Sequence, residues 1–331
     1  MHPHPAASGH LLPEGEGQFQ RDCAILDSYG LDAMKWQEHL QCVECTGSMV
    51  RDDYRCSQCG VRYDRASTGA PILMTAEDRQ RFQVLLSQDA GSHMQAEYSG
   101  RLKRNWARRL YPPEPVYVNP AAPPLPVAKR GLNLWIGGGG LELPGFVNID
   151  VAPVRGVDIV ANASKLPFQS DSCHGVACLA LLEHVEDPER VVAEIHRVLR
   201  PDGEVQVVVP FCHPYHAYPA DYSRFSRERL AGLFAGFHDV EIGIRTGPTT
   251  TMLTFLTYYL KLILPVHGGN SLHRNFNRLI VGALGWAMFP LKYLDVWLNR
   301  LPTAHVLANH FYVVARKWKS AGTHAEGEPG D

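Results

Sequence analysis

The chain has 331 residues, 45% of them hydrophobic, and a formal net charge of -2 from 32 basic and 34 acidic residues. That length suits about two domains with a substantial core, and the balanced charge excludes a global positive field for recruiting nucleic acid or an acidic membrane. The opening "MHPHPAASGHLLPEGEGQ" lacks the basic start and long apolar centre of a secretory leader.

Residues 1–36 carry no sustained hydrophobic period and read as a flexible tail. Residues 37–75 hold two close cysteine pairs, Cys42-x-x-Cys45 and Cys56-x-x-Cys59, with ten residues between the pairs. Each pair can bend round one ion, so four thiolates at this spacing predict a closed tetrahedral zinc site. Its role is structural, because so short a module buries little core without the metal. Paired cysteines of this kind also point to a reducing, cytoplasmic setting. Gly47 and Gly60 fall where tight turns are expected. Cys23, Cys173, Cys178 and Cys212 read as buried thiols.

Residues 76–112 are expected to be helical, with Phe82, Leu85 and Leu86 on one face and a basic run "RLKRNWARRL" (101–110) that is either a solvated face or a local anion contact. A proline-rich, semi-rigid connection follows, to about residue 128. From 129 to 247 strands and helices alternate. "LNLWI", "GFVNIDV", "GVDIVAN" and "GVACLAL" read as strands. "DPERVVAEIHRVLRPDG" is a helix with Asp187 as N-cap, Pro188 at its first position and a Pro201-Asp202-Gly203 stop. "EVQVVVP", the helix "SRERLAGLFAGF" and the strand "VEIGI" complete a mostly parallel α/β sheet. Residues 248–309 hold two apolar stretches expected to form helices, interrupted by Lys261 and Lys292, and neither reaches the roughly 20 uncharged residues of a spanning helix. "HFYVVARKW" (310–318) is the last strand, and 319–331 a second flexible tail.

"LNLWIGGGGLELPGFVNID" (132–150) places glycines after the first strand and an acid after the second. A dinucleotide dock wants a third glycine and a full helix. Glu142 or Leu143 stands at that third position, and only nine residues separate Gly140 from Asp150. S-adenosylmethionine has no phosphate to seat. It needs close backbone approach at glycine and a carboxylate for two ribose hydroxyls, which Gly137, Gly138, Gly139 and Asp150 supply.

Residues 131–240 resemble class I S-adenosylmethionine-dependent methyltransferases of the type 11 branch. The glycine loop, Asp150, Leu166-Pro167-Phe168 and Leu182-Glu183-His184 occur in the family's order. Residues 39–75 resemble the Trm112-like zinc ribbon that precedes many such domains, with Tyr63-Asp64 and Gly69-Ala70-Pro71 replacing its usual ending. The resemblance implies a Rossmann-like sheet with an antiparallel last strand, S-adenosylmethionine as cofactor, and Asp150 on the ribose. It implies Asn162 and Ala163 beside the adenine, where the family often carries an acid, and Leu181 and Leu182 near the sulfonium. The chain departs from the family at the end of strand one, where Asn133 or Trp135 replaces an acid, and at Cys173-His174, where Phe-Asp is frequent.

"PFCHPYHAYPADYSRF" (210–225) follows the fifth strand at the ligand edge of such a sheet. His213 or His216 is the expected base for a hydroxyl acceptor. Tyr215, Tyr218, Asp221, Tyr222 and Arg224 are candidate acceptor contacts. The aromatic, Leu-rich 250–300 region suggests a small-molecule, glycan or lipid-linked acceptor and a peripheral membrane contact. Two other readings stand beside methyl transfer: a non-catalytic adaptor built on a degenerate cofactor fold, and an RNA methyltransferase. The second is disfavoured by the balanced charge and by the lack of an Asn-Pro-Pro-Tyr type motif after the fourth strand.

Overall fold

The computed structural model describes residues 36–50, 53–86, 115–217, 220–264 and 271–318. Residues 1–35 of the first predicted tail with Cys23, the whole of the second tail, the basic run at 101–110, most of the expected 76–112 helix and Tyr218 lie outside them.

A two-stranded hairpin, β1 (Met49–Val50) and β2 (Arg55–Cys56), opens the described chain. Two short helices follow, α1 (Ala76–Arg81) and α2 (Gln83–Leu86). The sheet strands are β3 (Asn133–Ile136), β4 (Val147–Asp150), β5 (Ile159–Val160), β6 (Cys173–Leu179), β7 (Leu199–Pro210), β8 (His238–Thr246) and β9 (His310–Arg316). They lie in the order β5-β4-β3-β6-β7-β9-β8. β3 to β7 pair in parallel, and β9 runs antiparallel to both β7 and β8. The order reverses between β3 and β6, which opens a crevice beyond the carboxyl ends of those two strands.

The strands are buried because their apolar runs are continuous. β7 contributes Val205, Val207, Val208 and Val209, all nearly inaccessible, as expected of a central strand covered on both faces. Helix α3 (Pro188–Val198) packs Val191, Val192, Ile195 and Val198 into the core, and Asp187 caps it by accepting from the Arg190 N–H. The expected Pro-Asp-Gly stop takes another form. The helix ends at Val198, and pairing resumes at once with Leu199 opposite Cys173. Residues 200–203 then form a bulge before Glu204 meets Gly175.

The cysteine-marked module is sewn onto the sheet. Gln41 N–H donates to Pro167 O and Gln169 N–H to His39 O. At the other end Leu73 N–H donates to Val160 O and Val160 N–H to Pro71 O, so the module's exit pairs with β5 at the sheet edge. Leu40, Cys42, Tyr54, Tyr63 and Leu73 share one continuous core with the sheet.

Before β9 come α4 (Arg227–Leu233), earlier in the chain, then α5 (Pro248–Ile263), α6 (Ser271–Met288), a 3-10 turn Phe289–Leu294 and α7 (Asp295–Leu298). Buried Asp295 ties this unit together by accepting from Thr249 N–H, Thr250 N–H and the Thr250 hydroxyl at 2.7–3.0 Å. A carboxylate there also complements the positive end of α5. Neither apolar stretch holds the roughly 20 uncharged residues of a spanning helix, but one segment among the described residues passes a looser test. Asn275–Leu298, 24 residues, is long and apolar enough by length and composition. It passes through a 3-10 turn after Met288, and only 22% of its most apolar window is buried.

Candidate functional site

The glycine loop owes its shape to one buried amide. The clipped segment 141–146 forms no helix to absorb the loop's carbonyls. Instead Asn148 Nδ2 donates to Gly139 O, Leu141 O and Gly156 O at 2.8–2.9 Å. The four glycines therefore have separate jobs. Gly137 has φ of 76° and lines the cleft, and a Cβ there would meet Leu181 at 2.9 Å. Gly138 turns inward, where a Cβ would meet Asn148 at 2.4 Å. Gly139, at φ of 55°, donates its N–H to Asp150 Oδ2 at 2.9 Å. Gly140 packs its backbone against Gly156.

Asp150 sits at the end of β4 and faces a cleft of about 880 Å³. Its Oδ1 accepts from Ala152 N–H, so both oxygens are fixed and each retains a lone pair. Burial raises its carboxyl above the usual range, opposed by the N–H donors of Ala152, Gly139 and Val151. Asn162 and Ala163 line the same cleft. Here the structure supplies an acid that sequence order hid. Thr75 caps α1 and orients Asp78, whose Oδ1 accepts from Asn162 Nδ2 at 2.7 Å. The carboxylate comes from the N-terminal module, 84 residues away in the chain. At the opposite wall Ala180, with φ of 56°, turns the chain after β6 so that Leu181 faces Gly137. Leu182 is fully buried behind it.

The two family departures lie elsewhere. Asn133 is buried and bonds the backbone of Lys129 and Gly131, while Trp135 packs with Leu143 and Ala177. Cys173 is a core residue, and His174 lies under Gly131, at the far end of β6 from the cleft.

Beyond the cleft stands a polar cluster from the β6 and β7 termini. Glu183 and His216 are buried, and the His184 side chain is 6% exposed. Glu183 Oε1 lies 3.9 Å from His184 Nε2 and 3.8 Å from His216 Nε2. Asp221 accepts from His216 N–H and from a bidentate Arg224 guanidinium at 2.5 and 2.7 Å. Burial alone would raise the Asp221 carboxyl, but the Arg224 and His216 donors hold it down at about 2. Arg224 also donates to His213 O and Pro214 O, which makes it the clamp of this loop. Burial, with His216 beside it, pushes the His213 imidazole down to about 4. Its ring lies 4.6 Å from that of His216 and 6.5 Å from that of Tyr258 on α5. Tyr222 lines the cleft and donates to Glu186 at 3.0 Å, whereas Tyr215 is largely exposed. Thus His213, His216, Asp221 and Arg224 come together, and Glu183 and His184 join them. The Leu-Glu-His run signalled those two as a motif without revealing that His216 would meet them.

The four paired cysteines converge within the N-terminal module, with all sulfurs within 4.8 Å of one another. Gln58 and Cys59 N–H groups donate to Cys56 Sγ, and the Tyr63 hydroxyl lies 3.1 Å from Cys42 Sγ. Each pair closes with a left-handed residue whose N–H returns to the first cysteine. These are Gly60 and, in place of the expected Gly47, Thr46. This donor set fits a tetrahedral thiolate-bound ion.

Residues 147–207 match the family described as a methyltransferase domain. No protein of curated function matches the chain. Among solved structures, similarity extends to the Haemonchus contortus phosphoethanolamine N-methyltransferase 2, at 15% identity over 59% of this chain and 50% of that one, with a TM-score of 0.35. It extends to a chain in the complex of the Haloferax volcanii Trm112 methyltransferase activator with a methyltransferase (16% identity, 59% and 86% covered, TM-score 0.34). An S-adenosylmethionine-dependent methyltransferase of Archaeoglobus fulgidus matches at 15% identity over 56% and 86%, with a TM-score of 0.32.

Proposed function

We propose that the protein is an S-adenosylmethionine-dependent methyltransferase with a structural zinc at Cys42, Cys45, Cys56 and Cys59. It acts on the oxygen of an amphiphilic small-molecule, glycan or lipid-linked acceptor. The carrying observation is the pairing of the Gly137 approach with Asp150, at the ends of the neighbouring strands β3 and β4 beside the crevice. The ribose hydroxyls donate to Asp150, Asn162 and Asp78 flank the adenine, and Leu181 covers the sulfonium side. Methyl transfer is an in-line displacement from an activated donor, so positioning supplies much of the acceleration. The acceptor's oxygen forms the new bond to carbon as the carbon–sulfur bond breaks and its electron pair returns to sulfur. The hydroxyl proton passes to an imidazole of the His213–His216 pair. Asp221 and Arg224 position that loop, and Tyr222 lies along the route from the cleft.

The acceptor class rests on the helices before β9. Along α5, Met252, Phe255, Tyr259 and Leu262 recur at helical spacing and are exposed, Leu262 by 78%. Leu279 and Trp286 on α6 and Trp297 on α7 are exposed too. Residues 248–309 contain five Lys or Arg and a single acid, and Asp295 is buried together with one of the five, Lys292. An apolar stripe with aromatic residues and net positive charge suits an anionic lipid surface, with the helices lying on it. Tyr258 links α5 to His213, so a surface-bound acceptor would be presented next to the base.

Incubation with labelled methyl donor and anionic vesicles carrying membrane extract should label the lipid-extractable fraction. The protein should sediment with anionic vesicles, and a Leu262→Asp/Leu279→Asp variant should bind at least about a hundredfold more weakly, since two buried leucines contribute roughly 3 kcal/mol or more. Unchanged sedimentation of the variant would contradict the lipid-surface reading. Intact cofactor binding with no transfer to any fraction would favour the non-catalytic adaptor.

A further inference from the structure

Glu183, His184 and His216 form a buried group made only of electron-pair acceptors. His184 Nδ1 lies 2.5 Å from Ala220 O, so that nitrogen carries the proton and donates it. His216 Nδ1 faces Pro214 O at 3.2 Å and Asp221 Oδ2 at 3.5 Å, which fixes the same tautomer. Arg224 Nη2 lies 3.4 Å from the same ring nitrogen, but its two hydrogens go to the shorter contacts with Asp221 Oδ2 at 2.7 Å and Pro214 O at 2.9 Å. Both Nε2 atoms therefore present bare lone pairs, and both face the Glu183 carboxylate. Among the described residues neither Glu183 oxygen has a hydrogen-bond partner, and neither does His184 Nε2. Glu183 is wholly inaccessible, and the two imidazole side chains are at most 6% exposed. Three buried, inward-facing acceptors without a donor among the described residues are a costly arrangement unless a cation completes it.

We infer that Glu183, His184 and His216 bind a divalent transition-metal ion of the Zn²⁺ or Mn²⁺ class. The three ligand atoms lie within 4.8 Å of one another. Bonds of about 2.0–2.2 Å require the group to contract by roughly half an ångström about the ion. Two imidazoles and one carboxylate favour such ions over Ca²⁺ or Mg²⁺, and three protein ligands leave positions open for an exogenous oxygen. The carbonyls of Ala220 and Pro214 are the outer partners that fix the ligating nitrogen of each ring. His184 lines the cleft, which supplies the entry path. The site deepens the proposed methyl transfer and rests on that reading for its purpose. An acceptor hydroxyl ligated here is held beside the cofactor cleft and acidified, and His213 remains as the imidazole for its proton.

The test uses the full chain with its thiolate site loaded with zinc, titrated with Mn²⁺ alone and followed by the loss of the free-ion electron paramagnetic resonance signal. The wild type should bind one Mn²⁺ per chain in addition to the thiolate-site zinc. Glu183→Gln and His216→Ala should each weaken Mn²⁺ at least about tenfold, with thermal melting confirming that both fold, whereas a variant at exposed Tyr215 should leave binding unchanged. S-adenosylmethionine affinity, measured separately, should survive Glu183→Gln. Absence of Mn²⁺ and of a second zinc equivalent in wild type, or equal affinity in Glu183→Gln and wild type, overturns the metal site. Cofactor binding in the same samples leaves the methyltransferase reading standing. Its loss in wild type would instead remove that reading.

Discussion

Cys42→Ser is expected to destabilise the whole protein by at least about 4 kcal/mol, lowering its melting temperature by roughly 10 °C or more. Structural zinc contributes about 10–16 kcal/mol of apparent binding energy in small modules, comparable to the full stability of an ordinary domain. The damage should not stay local. Cys42, Cys56, Tyr54 and Tyr63 belong to the same continuous core as the sheet strands, and both ends of the module are hydrogen-bonded to residues around β5. Releasing the ion also frees α1, which delivers Asp78 to Asn162. Cofactor affinity should therefore fall with stability. Calorimetric melting of the wild type with and without a zinc chelator checks this. A zinc-free protein with an unchanged melting temperature would show that the four thiols are not a structural metal site.

The second large effect belongs to Asn148. Asn148→Leu keeps the volume and removes the side-chain NH2 group whose two hydrogens are shared among Gly139 O, Leu141 O and Gly156 O. Carbonyls left unpaired in a buried loop cost about 1–3 kcal/mol each where no water replaces the donor. A loss of about 3 kcal/mol in stability is expected, with a fall in cofactor affinity of at least about tenfold as Gly137 and Gly139 shift. Asn148→Asp should be worse than Asn148→Leu, because it sets a carboxylate against three carbonyl oxygens. Urea unfolding of the two variants ranks them. An Asp variant as stable as wild type would mean that the glycine loop holds its shape by other contacts.

Much of this architecture was legible in the sequence, because hydrophobic period and capping residues act locally. The strands from "LNLWI" to "HFYVVARKW", the capped helix after Asp187 and the four cysteines are all of that kind. What escaped depends on distance in the chain. Asp78 could not be placed beside Asn162 because it arrives from another module through the pairing of residues 71–73 with β5. The separate tasks of four consecutive glycines could not be read from composition. They follow from which side of the loop Asn148 occupies. The Glu183–His184–His216 group joins the ends of two strands, and neither segment alone announces it. The solvent-facing stripe on α5 has ordinary helical spacing, and periodicity does not say whether such a stripe faces the core or the outside.

The central claim is that Asp150 at the end of β4 holds the ribose of S-adenosylmethionine. Titration calorimetry of the cofactor into wild type and Asp150→Ala, at neutral pH and near pH 5, tests it most directly. Two hydrogen bonds to a charged acceptor predict one site per chain in wild type and at least about a hundredfold weaker binding in the variant. Burial raises the Asp150 carboxyl above its usual range, and the ribose donors favour its ionised form. Wild-type affinity should therefore fall as pH drops through that raised value, while Asp150→Ala loses this dependence. A wild type that gives no heat with millimolar cofactor, or an Asp150→Ala variant that binds as tightly as wild type, would contradict the account.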